Sequence, residues 1–102
     1  MPSFRDLLAD AKSQIREVTT AEADELRRNP GVVVLDVREA EEYEQGSIPG
    51  ALFIARGTLE STIEGKVPNK DTPLVVHCAG GGRPAFAART LGELGYGDAV
   101  SV

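Results

Sequence analysis

Two short runs of apolar, mostly β-branched residues restrict the fold of this chain more than any other feature. The runs are Val32-Val33-Val34-Leu35 and Leu74-Val75-Val76, and neither contains a polar position. An uninterrupted run of this kind is typical of a parallel strand buried on both faces of its sheet, because a half-exposed strand alternates polar and apolar residues. Helical patterns lie between the runs. The sequence therefore predicts βαβ units around a parallel sheet, an α/β fold.

The helical patterns can be placed with some precision. An apolar stripe at steps of three and four residues predicts an amphipathic amino-terminal helix. Thr19 and Glu22 have capping-box spacing, so a second helix is expected to begin there and to end by Asn29. The remaining predictions are helices over residues 39–45, 58–63 and 84–94 and short strands over residues 51–54 and 99–102.

Length and charge exclude several classes of function. The 102 residues suffice for one compact domain. Sixteen acidic against eleven basic side chains give a net charge of −5, which argues against nucleic acid or an anionic membrane as partner. No run approaches the roughly 18 apolar residues of a membrane span, and the amino terminus lacks an apolar stretch of secretory length.

The cysteine count bears on location and on metal binding. Cys78 is the single cysteine and its neighbour His77 the single histidine, so an internal disulfide is excluded and a Cys/His metal cluster is not expected. We therefore predict a cytoplasmic protein with no metal and no other cofactor.

Cys78 is the strongest candidate for a catalytic residue. It follows the second apolar run directly and precedes Ala79-Gly80-Gly81-Gly82-Arg83 and a predicted helix. Glycines allow successive backbone N–H groups to curl around an anion, and the helix adds its positive amino-terminal end. Arg83 adds a cation suited to oxyanions. These surroundings favour the thiolate, so Cys78 is predicted to be a nucleophile.

Other interpretations of these residues stay open. A lone cysteine at a strand end is often a small buried hydrophobe. His77 is not expected to activate its neighbour, because successive side chains of a strand point to opposite faces. Gly80 to Ala85 also satisfies a dinucleotide-binding pattern, but too few residues follow it to complete such a domain.

Four segments resemble, in order and spacing, the rhodanese-like sulfurtransferase domain. They are Leu35-Asp36-Val37-Arg38-Glu39, Glu42-Tyr43, Gly46-Ser47-Ile48-Pro49-Gly50-Ala51 and Cys78-Ala79-Gly80-Gly81-Gly82-Arg83. The resemblance implies a parallel central sheet with helices on both faces. It divides the chain into an amino-terminal amphipathic helix, residues 1–17, and the rhodanese-like domain, residues 18–102. A closing helix would follow Val102 in the family, so either the sequence is truncated there or the amino-terminal helix covers the exposed face instead.

The resemblance also implies a reaction. Cys78 would take a sulfane sulfur from a donor such as thiosulfate, hold it as a persulfide and pass it to cyanide or a cellular thiol. Residues Ala79, Gly80, Gly81, Gly82 and Arg83 would bind the substrate. Asp36 and Arg38 match family positions and are expected to support the loop or the fold, since a strand-end carboxylate can cap a helix and an arginine can pair with Glu39 or Glu42.

Two other functions remain as alternatives. The first is a phosphatase or arsenate reductase, which resembles this family in architecture. The loop of those enzymes has five residues between cysteine and arginine, whereas four separate Cys78 from Arg83. A non-catalytic adaptor module of the family would typically lack the cysteine that is present here.

Overall fold

The computed structural model describes residues 3–46, 48, 50–77 and 83–102. Helices and strands alternate along the chain in the way that the sequence predicts. In chain order the elements are α1 (Phe4–Ser13), β1 (Arg16–Glu17), α2 (Thr20–Leu26), β2 (Val33–Asp36), α3 (Ala40–Glu44), β3 (Leu52–Phe53), a 3-10 turn (Arg56–Thr58), α4 (Leu59–Lys66), β4 (Leu74–His77), α5 (Arg83–Glu93) and β5 (Ala99–Ser101).

The strands form one five-stranded sheet in the order β1-β5-β4-β2-β3. All neighbouring pairs are parallel. The two apolar runs of the sequence are β2 and β4, and they are hydrogen-bonded neighbours whose register pairs Val33 with Leu74 and Asp36 with His77. Because all strands run the same way, their carboxyl ends meet at one edge of the sheet.

Helices cover both faces, as expected for a parallel sheet. On one face α4 and α5 pack over β2 and β4 through a larger core, whose fully buried members include Leu35, Leu59, Ile63, Val76 and Leu91. On the other face a smaller core, Val18, Val34, Val75 and Val100, is covered by Ala23 and Leu26 of α2. The predicted fold class is therefore confirmed.

The predicted start of α2 is confirmed by its cap. At α2 the Thr19 hydroxyl accepts a hydrogen bond from the Glu22 N–H, and the Glu22 carboxylate accepts one from the Thr19 N–H. Ser3 and Asp6 form the same reciprocal pair at the start of α1. Such boxes satisfy amide groups that have no partner inside the helix.

Two elements differ from the sequence expectations. The two-residue strand β1 was not expected, because a strand of that length leaves no periodic pattern. Helix α4 continues to Lys66, three residues beyond the predicted end, and passes through Gly65. Leu59 and Ile63 are fully buried, and their packing exceeds the cost of about 1 kcal/mol for glycine in a helix.

No helix in the described parts of the chain is both long and apolar enough to cross a membrane.

Candidate active site

The carboxyl edge of the sheet brings Asp36, one of the predicted supporting residues, next to His77, the last residue before the predicted nucleophile Cys78. Register places Phe53, Asp36 and His77 side by side at the ends of β3, β2 and β4. The Val37 N–H donates to the His77 carbonyl at 3.1 Å, and the Ile54 N–H donates to the Asp36 carbonyl at 3.0 Å. Ligands of open α/β sheets bind at this edge.

The predicted loop lies outside the described residues. The predictions for its members therefore stay predictions: Cys78, Ala79, Gly80, Gly81 and Gly82. Its two ends are described. Strand β4, which has neighbours on both sides in the sheet, ends at His77, and α5 begins at Arg83. The five intervening residues therefore join the carboxyl end of an interior strand to the amino terminus of an eleven-residue helix. This agrees with the predicted strand, loop and helix order.

Asp36 and Arg38 form a buried ion pair beside this connection. Asp36 is fully buried, and the Arg38 side chain is 13% exposed. The Arg38 Nε lies 3.0 Å from both carboxylate oxygens, and its Nη2 lies 2.8 Å from Oδ2. The Arg38 backbone N–H also donates to Oδ1 at 3.0 Å. Both oxygens of Asp36 are thus held by one arginine.

The same guanidinium fixes a second segment. Arg38 Nη2 donates to the Gly46 carbonyl at 2.6 Å, which ties the end of β2 to the residue after α3. The sequence contained no signal for this contact, because an arginine and a carbonyl eight residues apart show no pattern. Asp36 does not cap a helix; α3 is capped instead by the Glu42 carboxylate, which accepts from the Glu39 N–H at 3.1 Å.

The charge state of Asp36 follows from two opposing effects. Burial raises the pKa of the carboxyl. The hydrogen bonds from the Arg38 side chain and backbone, together with the positive charge of Arg38, lower this pKa by more than burial raises it. His77 adds a smaller effect in the same direction. The net result is a pKa below the usual value, so Asp36 is ionised at neutral pH.

His77 is placed by the alternation of β4. Val76 belongs to the core beneath α4 and α5, and Val75 belongs to the core on the α2 face. Because side chains alternate along a strand, His77 follows Val75 toward the α2 face, where it is partly buried. That His77 does not activate Cys78 stays a prediction.

The described residues hold no group of three or more histidine, cysteine or acidic side chains arranged to bind a metal ion. A hollow of about 100 Å³ lies at the opposite, amino-terminal edge of the sheet, between Leu26 of α2 and Val75 and Val100 of the strands. Pockets that bind small molecules usually measure roughly 300–1,000 Å³. A second hollow, of about 300 Å³, is lined mostly by charged and polar side chains of β1 and α2. The candidate site stays at the carboxyl edge because ligands of open α/β sheets bind there.

Known proteins resemble this chain in sequence. A family model described as "Rhodanese-like domain" matches residues 19–102. The thiosulfate sulfurtransferase GlpE of Pseudomonas putida strain GB-1 is 33% identical over 90 residues, covering 88% of this chain and 80% of that protein. The dual specificity phosphatase Cdc25 of Arabidopsis thaliana is 39% identical over 75 residues, covering 71% of this chain and 50% of that protein.

A solved structure resembles the whole chain. It is a protein of unknown function from Rhodopseudomonas palustris CGA009, described as a possible tyrosine phosphatase. Its TM-score is 0.83 at 34% identity, and the match covers 99% of this chain and 87% of that one.

Proposed function

Because the chain belongs to the rhodanese-like domain family, we propose that it is a sulfurtransferase with Cys78 as its nucleophile. It moves a sulfane sulfur from a donor such as thiosulfate to a thiophilic acceptor, either cyanide or a cellular thiol. The observation that carries the proposal is that β4 ends at His77 and α5 begins at Arg83, because the sequence between these two ends contains the chain's one cysteine. The similarity to thiosulfate sulfurtransferase GlpE supports it.

The reaction has two steps. The Cys78 thiolate attacks the outer sulfur of thiosulfate, a sulfur–sulfur bond to Cys78 forms, and sulfite leaves with the electron pair of the bond that breaks. Cyanide then attacks the outer sulfur of the persulfide, so that thiocyanate forms and the thiolate returns. A thiol acceptor takes the sulfur in the same way. Neither step needs a metal or an external oxidant.

The surroundings of Cys78 suit a thiolate. The eleven-residue helix α5 begins five residues after it, and a helix amino terminus carries a partial positive charge. In this proposal the backbone N–H groups of Ala79, Gly80, Gly81 and Gly82 bind the anionic sulfur, and Arg83 binds the anionic donor. The acceptor thiols suit the reducing conditions of the cytoplasm.

The Asp36–Arg38 pair supports the site indirectly. Asp36 is fully buried with both oxygens occupied, so the pair is suited to bracing the carboxyl end of β2 rather than to contacting substrate. Since β2 is hydrogen-bonded to β4 at Asp36 and His77, this bracing holds the strand end from which Cys78 follows.

A phosphatase is the second candidate, and two observations favour it: the similarity to the Arabidopsis phosphatase and to the Rhodopseudomonas palustris protein. Loop length argues against it. Phosphatases of this architecture have five residues between cysteine and arginine, whereas four separate Cys78 from Arg83. A ring of N–H groups formed by a shorter loop is tighter. Such a ring suits one sulfur atom better than a tetrahedral phosphate.

The test is intact-protein mass spectrometry after incubation with thiosulfate. Wild-type protein is expected to gain the mass of one sulfur, to lose it again on addition of cyanide and to release thiocyanate. Cys78→Ser keeps the size of the side chain and removes the thiolate, so it should gain nothing. Wild-type turnover of p-nitrophenyl phosphate that depends on Cys78, without sulfur loading, would replace this proposal by the phosphatase.

A further inference from the structure

Helix α1 lies outside the part of the chain that the family model matches, yet it packs along α5. The match begins at residue 19, and α1 ends at Ser13. Two of the contacts between these helices involve side chains that can be described atom by atom. The rings of Phe4 and Phe86 lie 5.9 Å apart, tilted by 48°. Nearer the other end of α1, Asp10 Oδ2 lies 3.7 Å from Arg89 Nη1.

Phe86 belongs to the beginning of α5, three residues after the helix starts at Arg83. The Arg89 guanidinium carbon lies 5.5 Å from the centre of the Phe86 ring, so the ring contacts Phe4 and also the cation that reaches Asp10. Around it, Pro84, Ala85, Ala87 and Ala88 are buried. The core thus holds one side of this turn, and α1 contacts the side that bears Phe86.

The contact between Phe4 and Phe86 differs from core packing because the Phe4 side chain is largely exposed to water. Ala11 of α1 is fully buried, whereas Phe4 remains 60% exposed. An aromatic ring that stays largely in water adds little hydrophobic stabilisation. The contact still limits how the first turn of α5 can move, because paired aromatic rings prefer a restricted set of geometries.

We propose that Phe4 is a positioning residue for the nucleophile. By contacting Phe86 it fixes the first turn of α5, and with it the direction in which the amino-terminal N–H groups of that helix point. This inference rests on the proposed role of Cys78. Small changes in direction are enough to matter, because a misplacement of about 1 Å in a catalytic arrangement can cost two orders of magnitude in rate.

The test compares Phe4→Ala with Leu7→Ala. Leu7 lies on the same helix, is 45% exposed and carries no aromatic ring, so it is a matched truncation. Phe4→Ala is expected to lower the rate of sulfur loading from thiosulfate by about two- to tenfold, the range that one aromatic pair supports. It should also raise the apparent pKa of Cys78 alkylation and speed amide hydrogen exchange in the first turn of α5. Leu7→Ala should leave all three measurements unchanged.

A double variant shows whether Phe4 acts through Phe86. In a Phe86→Ala background the further change Phe4→Ala should have no additional effect on loading or on the alkylation pKa. In the presence of Phe86, Phe4→Tyr keeps the aromatic ring and should give wild-type values. Equal effects of Phe4→Ala and Leu7→Ala, or a loss of thermal stability with an unchanged alkylation pKa, would overturn the inference. Failure of the wild type to load sulfur would instead count against the proposed function, and alkylation and hydrogen exchange would still decide the role of Phe4.

Discussion

Arg38 engages both carboxylate oxygens of Asp36, two residues before it, with contacts of 2.8 to 3.0 Å. The pair sits at the carboxyl end of β2, where Asp36 is fully buried. The strand that carries it is hydrogen-bonded to β4, which ends at His77. A charge in such surroundings is tolerated because its partner is in place.

Removal of that partner should be costly. Arg38→Met leaves a buried carboxylate without its cation, and we expect the free energy of unfolding to fall by about 3–5 kcal/mol, measured by urea denaturation. Arg27→Met is the matched control, because Arg27 forms an exposed ion pair with Asp24 at 2.7 Å and should cost about 1 kcal/mol or less.

A second change can rescue the first. Asp36→Asn in the Arg38→Met background removes the unpaired charge and should recover part of the lost stability. Equal stability of Arg38→Met and Arg27→Met would show that the buried pair does not brace the sheet.

The pH dependence of stability should report Asp36 directly. Its carboxyl has a pKa below the ordinary value in the folded protein. Stability from the ionised group is therefore fully present above the unfolded pKa of about 3.9, and it is lost as pH falls through the lower folded pKa. Urea midpoints measured downward from pH 5 should fall less steeply below about pH 4 in Asp36→Asn than in the wild type.

Glu22 provides a comparison in the same pH window. The Thr19 backbone N–H, and then the Thr19 hydroxyl, hold the pKa of Glu22 below its usual value, but Glu22 is exposed to water. Glu22→Gln should therefore flatten the pH dependence less than Asp36→Asn does. A larger effect of Glu22→Gln would contradict the importance of burial at Asp36.

The sequence predicted the regular elements well where the determining interactions are local. The capping box of Thr19 and Glu22 involves residues three apart, and the runs that became β2 and β4 carry their own burial pattern. The Asp36–Arg38 pair was harder. The sequence singles out both Asp36 and Arg38, but it offers Glu39 and Glu42 as partners of Arg38. Only the fold decides which carboxylate Arg38 contacts.

Contacts between distant elements left no sequence signal. Lys70 donates to the Leu94 carbonyl at 2.5 Å and to Glu64 at 2.8 Å, and it lies 4.5 Å from the centre of the Tyr96 ring. None of these partners is within five residues of Lys70. The packing of α1 on α5 is of the same kind, since the amphipathic stripe predicts a buried face but does not say what buries it.

The Tyr96 hydroxyl should matter for stability and not for chemistry. It donates to the Val67 carbonyl at 2.5 Å in a buried position after α5, away from the carboxyl edge. Tyr96→Phe removes that donor and should cost about 1 kcal/mol, lowering the melting temperature by roughly 4–8 °C. Calorimetry measures the melting temperature. The rate of Cys78 alkylation should not change.

Tyr43→Phe is the control for the lost hydroxyl. Tyr43 stacks on Phe53 at 4.5 Å, and its hydroxyl has no hydrogen-bond partner among the described residues. The melting temperature of the Tyr43→Phe variant should therefore stay close to that of the wild type. A fall equal to that of Tyr96→Phe would assign the effect to general packing.

The acidity of Cys78 is the most direct measure of the candidate site. In the proposed site, the positive end of α5, the backbone N–H groups of the preceding residues and the charge of Arg83 would all favour the thiolate. We expect an apparent pKa between about 3.5 and 7.5 from the pH dependence of iodoacetamide alkylation, against about 8.5 for an ordinary thiol. Because the chain has one cysteine, the same protein unfolded in urea is its own reference and should give the ordinary value.

Two arginine variants test the role of the cation in this acidity. Arg83→Gln should raise the pKa of Cys78 in the folded protein. Arg56→Gln, which removes a cation paired with Glu60 at 2.8 Å, should leave that pKa unchanged. Identical pKa values for folded and unfolded protein would mean that Cys78 is not activated, and the proposed persulfide chemistry would lose its nucleophile.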